Sequence, residues 1–403
     1  TIRMAFTSDS AKTNFEGQIR NNRSNPQFVF NAQMRGAVTK ESIYLGTRVY
    51  DGRDRLGIAL GLKADMQPGG VKMSLGGIDP VLGYKKFKVN KDNYVFFAEN
   101  QRISADMRLR ADDGMGVQIY SNDSTETKQD LSVSLNQFDL QKVLAVVPYA
   151  PQVAGLLNGD FHWTVSEEGS MSVSSSVSVD RMAYEGCPIG NLSSEFVYMP
   201  KDNGKEHYVD GTLSMDDYEV CALSGMYNAE DEGSIDADMT LSRTPMLLLN
   251  GFVPDRLIHF KGYAQGEVKV KGSLSRPDVN GELYFDSAYV ASDPYGVQMR
   301  LCDDQLTINN SRLQFENFQM FARNGNALTL YGYFDFANFD RMNTYLRMRA
   351  DNYLLIDAKE NARSEAFGKA YVNFLGLVDG PLDALRMRGK LDVLGSSDVT
   401  YIL

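Results

Sequence analysis

The side chains that could carry out chemistry are few and scattered. His162, His207 and His259 are the only histidines, and none has a second ligand, a serine or a cysteine at a spacing that would build a metal site or a nucleophile–base pair. His162 and His259 lie among apolar neighbours, where an imidazole serves packing. Cys187, Cys221 and Cys302 are odd in number and show neither a disulfide framework nor metal-type spacing. Asp112-Asp113 and Asp303-Asp304 could share a cation, but both pairs fall in turn-like segments and read as solvated carboxylates. Asn228 to Gly233 begins like a calcium loop, yet its twelfth position would be Met239, which cannot ligate the ion. There is no glycine-rich phosphate loop, and Trp163, the single tryptophan, reads as core. No enzyme, metal or cofactor is expected.

Composition narrows the partners. The 403 residues carry a net charge of −11, which opposes nucleic acid, whose binding rests on basic patches. No stretch approaches the ~18 consecutive apolar residues of a spanning helix. The chain begins at Thr1 without a leader pattern and is expected to be a segment of something longer.

The elements that hold these residues are strands. Around Gly262 to Val297, Val268 and Val270 fall on one side of an extended strand and Glu267, Lys269 and Lys271 on the other, because strand side chains alternate with period two. Gly272 and the Pro277 to Gly281 segment supply the turn. Ile103, Met107 and Leu109 alternate with Ser104, Asp106, Arg108 and Arg110 in the same way. Further inward apolar positions are expected at Val117 and Ile119, Met171 and Val173, Ile235, Met239 and Leu241, Leu283 and Phe285, and Leu346 and Met348. The run 83–97 is expected to be a hairpin turning at Asn90 to Asn93, and Gln67 to Gly70 another turn.

This grammar repeats about every hundred residues. Gly155 to Gly159 matches Gly262 to Gly266, and Phe367-Gly368 opens a third copy. A short helix precedes two copies: Asp139 can cap Leu140 to Val147, and Thr244-Pro245 can start Met246 to Phe252. Asn352 to Ala366 would be the third. The expected organisation is a first segment 1–138, repeats 139–243 and 244–351, and the start of another at 352–403, in one continuous elongated domain.

A sheet with one apolar face must bury it against something. About twenty strands at roughly 4.8 Å spacing would make a sheet on the order of 100 Å long, and twist would curl it around the apolar face into a trough or open tube. The class expected is all-β, an elongated repetitive antiparallel sheet forming an open groove. Met107, Met171, Met239 and Met348 suit an adaptable lining, since thioethers conform to irregular ligands. The same alternation also describes the core of a sandwich or closed roll. A β-solenoid acting on polysaccharide is a rival, opposed by the hundred-residue period and the outward serines. A protein-binding scaffold is another, and would close its apolar face with its own chain.

The runs Gly-Glu-Val-Lys-Val-Lys-Gly-Ser-Leu-Ser-Arg-Pro-Asp-Val-Asn-Gly-Glu-Leu at 266–283 and Gly-Tyr-Lys-Lys-Phe-Lys-Val-Asn-Lys-Asp-Asn-Tyr-Val-Phe-Phe at 83–97 resemble the TamB family of the AsmA-like group, the large periplasmic proteins of the translocation and assembly module. The resemblance extends from about residue 40 to the end. It implies a β-taco that conducts phospholipid acyl chains between the inner and outer membranes and supports outer-membrane protein assembly. It also implies a periplasmic location, an inner-membrane anchor through an N-terminal helix, and an outer-membrane barrel partner of the TamA or BamA type. The anchor and the partner-binding end would lie outside this stretch.

Overall fold

The structure is a computed structural model that describes residues 2–21, 29–122, 127–147, 150–184, 186–201, 205–230, 233–252, 258–292, 296–359 and 366–401. Strand makes up 73% of it and helix 4%, so the class is all-β. Two compact units divide the chain, one of 1–200 with 215–217, the other of 201–214 with 218–403. The division falls within the repeat expected at 139–243.

The first unit contains β1 (Ile2–Ser8), β2 (Thr13–Arg20), β3 (Phe30–Val38), β4 (Ser42–Asp51), β5 (Leu56–Gln67), β6 (Gly70–Leu75), β7 (Val81–Leu82), β8 (Lys85–Lys86), β9 (Lys88–Val89), β10 (Tyr94–Ala98), β11 (Ile103–Arg110), β12 (Gly116–Ser121) and β13 (Thr127–Asp139). Helix α1 (Leu140–Leu144) follows, then β14 (Val153–Ser166), β15 (Met171–Tyr184) and β16 (Cys187–Pro200). Asp139 caps α1 as expected, its carboxylate accepting from the Lys142 amide at 3.1 Å. β1 had no counterpart in the sequence reading.

The second unit contains β17 (Glu206–Met215), β18 (Tyr218–Asn228), β19 (Ser234–Pro245), a 3-10 helix Met246–Phe252, β20 (His259–Ser273), β21 (Asp278–Ser292), β22 (Val297–Leu301), β23 (Leu306–Asn309), β24 (Arg312–Phe321) and β25 (Ala327–Asp335). A 3-10 turn at Phe339–Arg341 leads to β26 (Asn343–Ala358), β27 (Ala366–Pro381), β28 (Arg386–Val393) and β29 (Asp398–Tyr401). Neighbours such as β14 and β15, β20 and β21, or β26 and β27 pair antiparallel along their length.

Two expectations need correction. The run 83–97 is not a hairpin: β9 pairs with Leu109–Arg110 and β10 with Ile103–Asp106, so both face β11 as pieces of one interrupted rung. Asn90 and Asn93 bridge the gap with side-chain hydrogen bonds to the Arg108 amide at 2.9 Å and the Leu75 amide at 2.7 Å. Turn-forming asparagines look alike in sequence whether the chain doubles back or steps sideways. The helix anticipated at Asn352 to Ala366 is also replaced, because β26 stays extended through Ala358. Residues 360–365 lie outside the described residues.

The repeat survives in backbone geometry. Gln137 and Arg243 have φ of 46° and 52°, and Arg181 and Ser287 have φ of 52° and 49°. Each pair is separated by 106 residues, and the register shifts at all four. Such bulges bend a strand and increase its twist. Gly332, at φ 132°, sits where β25 and β26 approach closely, and a Cβ there would run into the Tyr345 carbonyl oxygen.

Candidate functional site

The alternation places one apolar and one polar face on each ladder. On the polar side of β19 and β20, Lys269 lies 3.3 Å from Asp238 and Lys271 3.0 Å from Asp236. These are exposed cross-strand pairs, worth little energy but unfavourable to turn inward.

The apolar side is closed in some stretches and open in others. In the first unit, Phe87, Met107, Leu109, Ala111 and Met115 form a buried cluster, against which Ile119 and Val143 pack. Chain from the α1 region covers part of this unit: a Cβ at Gly57 would stand 2.4 Å from Val146, which is 3% exposed. In the second unit, Val268, Val279 and Ile308 form one cluster, with Met239, Val270 and Leu283 around it. Another holds Met246, Ala288, Leu301, Cys302, Leu306, Phe318 and Leu330, supported by Phe285 and Met348. Met107, Leu109 and Val268 are therefore packed by the chain itself rather than lining free space.

The face opens over β13 to β16. Pairing register sets Ile119, Val133 and Phe161 in one cross-strand row, and Leu131, Trp163, Val173 and Tyr198 in the next. None of these seven residues is buried, and Phe161 is 39% exposed. Of the other expected lining residues, Ile103, Val117, Ile235, Leu241 and Leu346 are half-buried and belong to no buried cluster. Met171, on the same face as Val173 at the start of β15, is 40% exposed.

In the second unit the rows run outward to β28, where Val378 faces Met387, Phe374 faces Leu391 and Val372 faces Val393. Met387, Leu391 and Val393 are exposed by 50% or more. At β1 of the first unit, Ile2, Met4 and Phe6 are similarly bare. The accessible surface totals 23763 Å², whereas two compact globules sharing the chain equally would expose about 19,000 Å².

The residues considered for chemistry stay apart. His162 Nε2 lies 2.8 Å from Asp130 Oδ1 on the polar face, with no serine hydroxyl bonded to the ring. Asp112 pairs with Lys88 at 2.7 Å, and Asp113 pairs with Lys85. Asp303 and Asp304 sit exposed between β22 and β23. Among the described residues, no group of three His, Cys, Asp or Glu could hold a metal. His207 is 8% exposed and stands 6.4 Å from the Tyr227 ring. None of the cysteines forms a disulfide among the described residues, and burial raises the pKa of Cys221 and Cys302, which favours the thiol over the thiolate.

The sequence reading missed the polar side chains that finish interrupted rungs. Gln129, 3% exposed, accepts from the Ile103 amide at 2.7 Å and donates to the Ile103 carbonyl at 2.8 Å. Ser311, 1% exposed, accepts from the Val279 amide at 2.9 Å and donates to the Pro277 carbonyl at 2.7 Å. Each supplies backbone groups with partners that a continuous strand would have provided.

No family model, curated protein or solved structure matches the chain.

Proposed function

We propose that the open apolar rows bind hydrocarbon and that the chain is a conduit segment for phospholipid acyl chains, as the resemblance to the TamB family suggests. The observation that carries this reading is the open face of β13 to β16, with Val133, Phe161, Trp163 and Val173 in adjoining rows and none buried. Full burial of a methylene contributes about 0.8 kcal/mol. A chain lying on one open face is covered on one side, so it gains roughly half of that. The attraction is non-directional, so sliding from row to row costs little while the headgroup stays in water. No bond is made or broken.

In this reading the segment works in the periplasm of a two-membrane envelope. It is held to the inner membrane by a helix outside this stretch and meets an outer-membrane barrel of the TamA or BamA type. Trp163 is the only tryptophan and sits between Leu131 and Val173 in an open row, so it reports directly. Fatty acids carrying a nitroxide on the acyl chain should quench its fluorescence saturably, and native mass spectrometry should find co-purified phospholipid. Absence of both would reject the conduit.

A second reading has its own support. The self-packed clusters around Phe318 and Val268 are what a protein-binding β scaffold would show. That reading predicts no quenching of Trp163 by any amphiphile.

A further inference from the structure

We infer that the β27–β28 hairpin of the second unit is a docking element for an anionic phospholipid bilayer. It acts through the hairpin tip and the face opposite the apolar rows, and it is distinct from the open rows of β13 to β16 on which the conduit reading rests. Register places Leu377 between Arg347 and Arg388, and Leu375 between Arg349 and Lys390. Two adjacent leucines are thus flanked on both sides by cations, in a chain whose net charge is −11. Leu375 is 63% exposed, and the hairpin tip adds Leu382 at 45% and Leu385 at 47%.

Leu377 is half-buried, and it is the basic surround that makes the leucines more than a loose apolar patch. Among the described residues Arg347 has no carboxylate partner, its Nε donating to the Tyr345 hydroxyl at 3.1 Å. Arg388 shares Asp379 with Arg386 at 3.4 and 2.9 Å. Lys390 and Arg349 pair with carboxylates along their own strands, at 2.7 and 3.1 Å, in water-exposed pairs that phosphate can displace. Tyr331, 47% exposed and opposite Arg347 in register, adds an interfacial aromatic. Cations that meet headgroup phosphate, leucines that reach the acyl boundary and a tyrosine at the interface together match an anionic lipid surface. A soluble polyanion would engage the cations but leave the leucines without a role.

The test is flotation of the protein with vesicles of phosphatidylglycerol and phosphatidylethanolamine, against pure phosphatidylcholine vesicles. Binding is expected to the anionic vesicles only, and to weaken as salt rises. Each cation near an anionic surface is worth about fivefold in partitioning, so Arg388→Glu with Lys390→Glu should reduce it by about thirtyfold or more. Leu382→Ser with Leu385→Ser should weaken binding while leaving its salt dependence intact. All four positions are exposed, and circular dichroism confirms the fold of each variant. Equal flotation with neutral vesicles, or unchanged flotation of the folded charge variant, overturns the inference. Quenching of Trp163 by labelled fatty acid should be the same in both variants, so failure of the docking surface and failure of the conduit remain distinguishable.

Discussion

Phe161→Asp is the substitution that most directly separates an open lipid face from an unfinished core. The ring is 39% exposed, and full burial of a phenylalanine contributes about 1.5–3 kcal/mol. Losing the buried portion should therefore cost about 1–2 kcal/mol of stability. Its cross-strand neighbours are Val133 and Ser175, and the carboxylate reaches water, so the unit stays folded. An acyl chain crossing this row loses contact with a few methylenes and meets a hydrated charge. About 1.5–3 kcal/mol of lost binding corresponds to roughly 10- to 150-fold in affinity. The assay is titration of Trp163 fluorescence with nitroxide-labelled fatty acid, alongside urea unfolding. The control is Phe318→Asp in the closed cluster. That ring is 4% exposed and packs edge-on to Phe285 at 6.0 Å and Phe315 at 5.8 Å. Its loss should cost more than about 4 kcal/mol and disrupt the second unit. A folded Phe161→Asp protein with an unshifted quenching curve would refute the idea that hydrocarbon lies on these rows.

Three further outcomes are expected. Ser311→Ala should destabilise the second unit by about 1–3 kcal/mol in urea unfolding, because it strands the buried Val279 amide; a change near zero would show that water substitutes for the hydroxyl. Tyr353→Phe should leave stability unchanged or raise it by up to about 1 kcal/mol. Its hydroxyl is buried without a hydrogen-bond partner, and burial holds its pKa far above the ordinary phenol value; a marked loss in thermal unfolding would reveal a partner. Burial acts to raise the Asp51 pKa, but the Arg55 and Arg53 amides, the Arg55 guanidinium and the Tyr84 hydroxyl outweigh it and hold the group below its usual value. A depressed carboxylate stabilises the fold above its unfolded pKa of about 3.9 and loses that contribution as pH falls further. Asp51→Asn should therefore flatten the decline in stability below about pH 4, and an unaltered acid profile would assign that decline to other groups.

Much of the local structure was legible because a half-covered strand writes its two faces into alternate residues. Ala237 and Met239 against Asp236 and Asp238 could be read directly, and so could the Asp139 cap. The interrupted rungs were not legible. Asn90, Asn93, Gln129 and Ser311 act through backbone groups far along the chain, and nothing in their own neighbourhood marks those partners. The exposure of Leu375 on β27 was hidden for the same reason, since periodicity names a face without saying what lies over it.

Sequence by itself determined that this chain folds as strand after antiparallel strand with greasy and charged sides, since period-two alternation and glycine-marked turns admit little else. Only the tertiary structure decided which greasy stretches are sealed, as around Phe318, and which are only partly covered, as around Trp163. The hydrophobic effect rewards cover from any source, so side chains awaiting the chain's own neighbours and side chains awaiting a ligand obey one pattern until the three-dimensional packing separates them.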